Sequence, residues 1–180
     1  FVDLNGDGKI TADDQERIDR SREPLFFFGG TFNARYKNFD VAMLLQGSMG
    51  ARFRVQTESG DIGNFLKYFH DNRWSIENPS SEHPRLASRG DTYYSGGSFD
   101  NNTYFLFNRD YLRLKNLEIG YTIDGAFKDK IGIRSLRVYA NGLNLLTFDK
   151  HKIFDPEAEN QAGTFYPLSR VVNFGAMVSF

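Results

Sequence analysis

From Phe26 onward the apolar residues of this chain recur at every second position, and that period leaves few folds open. Phe28, Gly30, Phe32, Ala34 and Tyr36 fall on one face of a predicted strand over 26–36, with Thr31, Asn33 and Arg35 on the other. Successive side chains of a strand point to opposite faces, so such a segment is apolar on one side and polar on the other. Lys37-Asn38 reads as a turn, and the pattern resumes over 39–49, where Phe39, Val41, Met43, Leu45 and Met49 oppose Asp40, Gln46 and Ser48. A third strand is predicted over 110–122. Leu112 and Leu114 hold one phase there and Leu117, Ile119 and Tyr121 the other, which requires a bulge near Lys115-Asn116. A fourth, over 135–148, alternates Leu136, Val138, Ala140, Leu146 and Phe148 with Arg137, Tyr139 and Asn141. In the last, 171–180, Val172, Phe174, Ala176, Val178 and Phe180 share a face.

Composition sharpens this. Aromatic residues make up 16% of the chain, yet the mean hydropathy is -0.49. A globule that fills its own interior sets its aromatics among Leu, Ile and Val, whereas here Phe and Tyr stand between polar neighbours, as in strands of a membrane barrel. The longest unbroken apolar run is 41–45, far below the roughly 20 residues of a membrane-spanning helix. Lys and Arg number 22 against 23 Asp and Glu, for a net charge of -1. Without a local cationic excess to neutralise phosphates, nucleic acid is excluded as the expected partner. Cysteine is absent, which removes disulfides, thiolate metal sites and thiol nucleophiles and leaves the redox compartment open. The chain starts at Phe1 without Met, a basic segment or an apolar leader, so the expectation is an internal start within a longer product.

Connection lengths orient the strands. They run very short (37–38), long (50–109), short (123–134) and long (151–169). Outer-membrane barrels have short periplasmic turns and long extracellular loops, so the expected fold is all-β: an antiparallel transmembrane β-barrel segment of about five strands. Open edges in lipid leave backbone groups unpaired, so the remaining strands must come from elsewhere. The expected division is 1–25, an extracellular loop with a calcium-type motif, and 26–180, strands and loops of the barrel.

Several motifs, taken in order, resemble one family. They are DLNGDGKI at 3–10, YKNFDVAMLLQGSMG at 36–50, DYLRLKNLEIGYTI at 110–123, SLRVYANGLNLLTF at 135–148, FDPE at 154–157, YPLSR at 166–170 and the closing Phe180. Together they are similar to the C-terminal barrel of the SusC/RagA-like TonB-dependent outer-membrane transporters of Bacteroidota. The resemblance implies a larger plugged barrel in the outer membrane of a Gram-negative bacterium. It would import an oligosaccharide or peptide, work with a SusD-like surface lipoprotein in an assembly of two copies of each, and draw energy from the TonB complex through an N-terminal region absent here. It also implies that Phe180 serves as a barrel-assembly signal.

Site residues follow at four places. Asp3, Asn5, Asp7, Lys9 (through its carbonyl) and Asp14 match the spacing of an EF-hand-type loop, with Asp at the closing position, and hard oxygen donors of this kind suit Ca2+ in a structural role. The competing reading is a solvated Asp/Asn/Gly turn. A short helical turn is predicted over 15–20. Trp74, Tyr93, Tyr94, Asn101, Asn102 and Tyr104 combine stacking faces with amides, which suits substrate binding or contact with the lid partner. Asn33, Arg35, Asp40 and Gln46 are expected to face the lumen. Tyr36, Phe39 and Tyr121 would join an aromatic girdle. Catalysis is not expected: His70, His83 and His151 are scattered and no hydrolase motif is present. The alternative to a transporter is a secreted β-sandwich glycan-binding module with a dockerin-like calcium loop, in which the apolar strand faces would meet one another.

Overall fold

The computed structural model describes residues 1–19, 21–59, 63–80, 82–88, 90–92, 94, 102–125, 132–158 and 162–180. Its elements are β1 (Phe26–Tyr36), β2 (Phe39–Met49), β3 (Arg52–Arg54), α1 (Lys67–Asn72), β4 (Leu106–Asn108), β5 (Tyr111–Asp124), β6 (Ser135–Asp149) and β7 (Val171–Ser179). β1, β2, β5, β6 and β7 form one sheet in that order, each antiparallel to its neighbour. β1 and β2 start and stop where the alternation predicts. Lys37 adopts φ 53, the positive φ that a two-residue hairpin connection demands, and pairing runs without slip from Tyr36↔Phe39 to Phe26↔Met49.

The bulge lies where the phase change put it. Leu44 pairs with Asn116 and Leu45 with Leu114, so Lys115 is the extra residue on β5. β6 answers with Asn144 and Leu145 between its own paired positions, Asn144 at φ 52. One inserted residue reverses the phase of everything beyond it. Leu112 and Leu114 thereby reach the same face as Leu117, Ile119 and Tyr121.

Register then makes one face apolar across the whole sheet. Ala34, Val41, Ile119, Ala140 and Phe174 form one cross-strand row, and Phe32, Met43, Leu117, Gly142 and Val172 the next. Among the described residues no second sheet lies over this face, and Phe28, Phe32, Phe39, Ile119, Val138 and Phe174 are all exposed on it. An apolar surface of this breadth is foreign to a water-soluble monomer. The β-sandwich alternative, which needs apolar faces packed on each other, is corrected by this arrangement. No helix is long and apolar enough to cross a membrane, which says nothing about crossing by strands. Phe39 and Tyr121, their ring centroids 4.6 Å apart, stand with exposed Tyr36 at the short-turn end, the position expected of a girdle.

The buried core lies in the loops. Val55, Phe69, Ala87, Tyr94, Phe105 and Phe107 are buried together, with Ile153 and Phe154 of the β6–β7 loop packed against them. The segment 50–109, irregular by sequence, thus contains the β3–β4 pair, α1 and a 3-10 turn at Thr103–Phe105. Its aromatics converge from separate turns, and convergence in space leaves no periodic trace in sequence. At the N-terminus the predicted helical turn over 15–20 is corrected. The turn is instead a 3-10 element, Ala12–Asp14, capped by Thr11, whose backbone N–H donates to the Asp14 carboxylate, and residues 15–19 are not helical.

Candidate functional site

The face opposite the apolar one is polar, and Asn33, Arg35, Asp40 and Gln46 all lie on it. Its centre is Arg137 of β6. Nε donates to Asp40 Oδ1 at 3.1 Å, Nη2 to Asp40 Oδ2 at 2.5 Å, and Nη2 also to Glu118 Oε1 at 2.7 Å. Asn141 Nδ2 donates to Glu118 Oε2 at 3.3 Å and Asn173 Nδ2 to Asn141 Oδ1 at 3.0 Å. One polar chain therefore crosses β2, β6, β5 and β7. Asp40 alone of this set was among the expected lumen residues; Arg137 and Asn141 shared its phase but gave no sign that they would meet it.

Two glycines keep this wall flat. A Cβ on Gly120 would collide with the Arg137 guanidinium, and one on Gly175 would sit 2.5 Å from the Tyr139 ring. Arg137 and Tyr139 thus lie along the sheet, with the guanidinium carbon 5.1 Å from the ring centroid, in the way a side chain covers a bare glycine on a neighbouring strand.

At the long-loop end a second charged group is buried. Arg113 is 2% exposed and its Nη2 donates to Asp155 Oδ1 at 2.7 Å, with Glu157 as a second ion-pair partner. Lys115, the bulge residue, reaches Glu157 at 2.8 Å. Arg109 Nε donates to the Pro156 carbonyl at 2.8 Å. Asp155, 6% exposed, also accepts from the backbone N–H groups of Glu157 and Leu168, each at 3.0 Å. Burial pushes its carboxyl up, but Arg113 and those two amides outweigh burial and hold it below the usual carboxylate range.

The aromatic and amide candidates separate. Trp74 offers its ring to solvent. Tyr94 is 4% exposed and edge-on to Phe105 in the loop core. Asn102 Oδ1 accepts from the Tyr104 backbone N–H at 3.0 Å, capping the 3-10 turn. The Tyr104 hydroxyl lies 3.0 Å from His83 Nδ1, and burial raises its pKa above the ordinary tyrosine value. Tyr94, Asn102 and Tyr104 are thus engaged in the loop's own packing, and Tyr93 and Asn101 lie outside the described residues. An open groove of about 360 Å³ runs between Phe1 and Ile10 on one side and Pro84, Arg85 and Tyr94 on the other.

In the Asp/Asn loop the carboxylates serve the backbone. Asp3 accepts from the N–H groups of Gly6 and Gly8, both at 2.7 Å, Asp7 from Lys9 at 2.8 Å, and Asp14 from Leu4 and Thr11, both at 2.7 Å. Asn5 Oδ1 accepts from the Asp7 N–H at 3.0 Å. Gly6 and Gly8 supply the positive φ values, 77 and 79, that so tight a loop needs. The backbone bonds from Thr11 and Leu4 lower the pKa of Asp14. The donor types fit a hard cation. Among the described residues, however, no three carboxylate or imidazole groups are gathered as metal ligands. Phe180, the expected assembly signal, is exposed just beyond β7.

No protein-family model matches the chain. It is 34% identical over 160 residues to TonB-dependent receptor P3 of Formosa agariphila, an alignment covering 88% of this chain and 15% of that protein. It is 28% identical over 185 residues to TonB-dependent receptor SusC of Bacteroides thetaiotaomicron, covering 100% of this chain and 17% of the relative. The chain therefore spans less than a fifth of the length of these relatives. Among solved structures it superposes on the RagAB peptide importer in the open-open state with a TM-score of 0.69 and 32% identity, covering 96% of this chain and 19% of that one. A structure of the RagAB peptide transporter gives a TM-score of 0.72 at 30% identity.

Proposed function

Because this chain belongs to the SusC/RagA-like TonB-dependent transporters, we propose that its sheet is barrel wall in an outer membrane and serves the active import of an oligosaccharide or peptide. One observation carries the reading: five strands present an unbroken apolar face on one side and a hydrogen-bonded polar wall on the other, with both long loops at one end. Hydrocarbon is the solvent in which such an apolar face is stable, and the polar wall then lines the lumen. Asn33, Arg35, Asp40 and Gln46 stand on that lining. The two long loops lie outside the cell, where Trp74 remains open to a substrate or to a SusD-like lipoprotein. Energy comes from TonB acting through parts of the transporter that this chain does not include. The role is transport rather than catalysis.

The test uses the full-length protein in its own outer membrane. Extraction only by detergent, faster migration on gels when unboiled, and a co-purifying surface lipoprotein support the proposal; recovery in the detergent-free soluble fraction overturns it. Calcium at Asp3, Asn5, Asp7, Lys9 and Asp14 belongs to the proposal on donor chemistry alone, as a brace for the outer loop. Terbium luminescence sensitised by the chain's aromatics, displaced by excess Ca2+ and lost in Asp3→Ala, is expected. No luminescence in the unsubstituted protein leaves the loop held by its own amides.

A further inference from the structure

We infer that Arg113 and Lys115 are positioning residues that hold the β6–β7 loop permanently inside the outer mouth of the barrel. The loop's 154–157 segment would form a fixed shelf across part of the lumen. This rests on the transporter reading, which makes the polar face the lumen. Arg113 lies on that face, paired with Gln46 and Thr147. The next lumen-facing position in a regular strand would be Lys115, but on the regular phase beyond it Leu117 would also turn inward. The bulge resolves that conflict: Lys115 joins Arg113 against the same Glu157 while Leu117 returns to the apolar face.

The loop is fastened on three sides. Asp155 and Glu157 meet the two cations, Arg109 donates to the carbonyls of Pro156 and Glu157, and Phe154 and Ile153 pack into the core built by residues of 50–109. His151 adds an edge-on contact with Phe107, centroids 4.9 Å apart. Both long loops are therefore one body moored to β5. A guanidinium on a side chain only 2% exposed beneath Asp155 is not offered to a passing anion, so Arg113 serves as an anchor rather than as a substrate contact. Cargo must pass beside the shelf.

Cysteine accessibility in intact cells expressing the full-length transporter tests this, and this stretch carries no native Cys. Pro156→Cys keeps the carbonyl that Arg109 grips and probes the buried shelf. Ile76→Cys, at a loop position 82% exposed, reports whether the loop end faces outward at all. With a membrane-impermeant maleimide, Pro156→Cys is expected to label about a hundredfold more slowly than Ile76→Cys, a gap that breaking a buried ion pair is large enough to close. In Arg113→Met/Lys115→Met, the Pro156→Cys rate rises to within about threefold of the Ile76→Cys rate, while unboiled gel mobility shows the barrel folded. Glu157→Gln gives an intermediate rate and covers the case in which the double variant fails to assemble. Fast labelling of Pro156→Cys in the otherwise native protein, or unchanged protection in a folded double variant and in Glu157→Gln, overturns the shelf. Absence of labelling at Ile76→Cys in cells that lack the surface lipoprotein instead overturns the outward placement of the loops, and with it the transporter reading.

Discussion

Ile119→Arg distinguishes contact with lipid from contact with water at a single position. Ile119 is 46% exposed on the apolar face, between Val41 and Ala140. The apolar residues of β5 run from Leu112 to Ile123. A strand tilted about 45° climbs roughly 2.3 Å per residue along the bilayer normal, which puts Ile119 within about 3.5 Å of the middle of that span. An Arg at this depth costs about 2–4 kcal/mol if hydrocarbon surrounds it, which lowers the folding equilibrium about 30-fold to several hundred-fold. Asn33→Arg, one cross-strand row away on the polar face, faces a wet lumen and stays within about 0.5 kcal/mol. Folding of the full-length protein into lipid vesicles across a urea series, scored by unboiled gel mobility, measures both. Equal effects of the two substitutions, or a neutral Ile119→Arg, would refute the claim that lipid covers this face.

Three further outcomes follow from particular contacts. A Cβ on Gly47 would lie 2.5 Å from the Tyr111 carbonyl oxygen and from the Phe28 ring, so Gly47→Ala must part β2 from β5. A loss of about 1–3 kcal/mol is expected in the same urea series, against almost none for Gly30→Ala, which meets nothing within 4 Å. Arg137→Met leaves Asp40 and Glu118 facing each other. Because these groups are partly exposed, the loss is about 1–2 kcal/mol, and a double-mutant cycle should show Asp40→Asn relieving part of it. The shelf should respond to acid but not to mild pH change. Asp155 has a depressed carboxyl pKa, so its contribution is complete above the ordinary value of 3.8 and fades as pH falls through the lower folded value. Protection of Pro156→Cys should be constant from neutral pH down to about 5; loss of protection within that window but below the ordinary histidine value of 6.5 would shift the explanation to His151, whose pKa burial lowers.

What the sequence alone determined is the wall. A period of two, a two-residue turn at Lys37-Asn38 and a phase reversal at Lys115 state which side chains share a face, because strand geometry ties facing to position along the chain. The motif resemblance added the family, and the EF-hand-like spacing added candidate oxygens, without revealing that these carboxylates would turn to their own amides. The loops belong to the tertiary structure. Tyr94, Asn102 and Tyr104 look in sequence like residues waiting for a ligand, yet Asn102 caps its own turn, and Tyr94 and Tyr104 sit in or against a core because Val55 and Phe69 join it from distant positions. Arg113 with Asp155, and Arg137 with Asp40, are likewise 42 and 97 residues apart. Local pattern records which way a side chain faces; only the closed path of the backbone decides which charge it meets there.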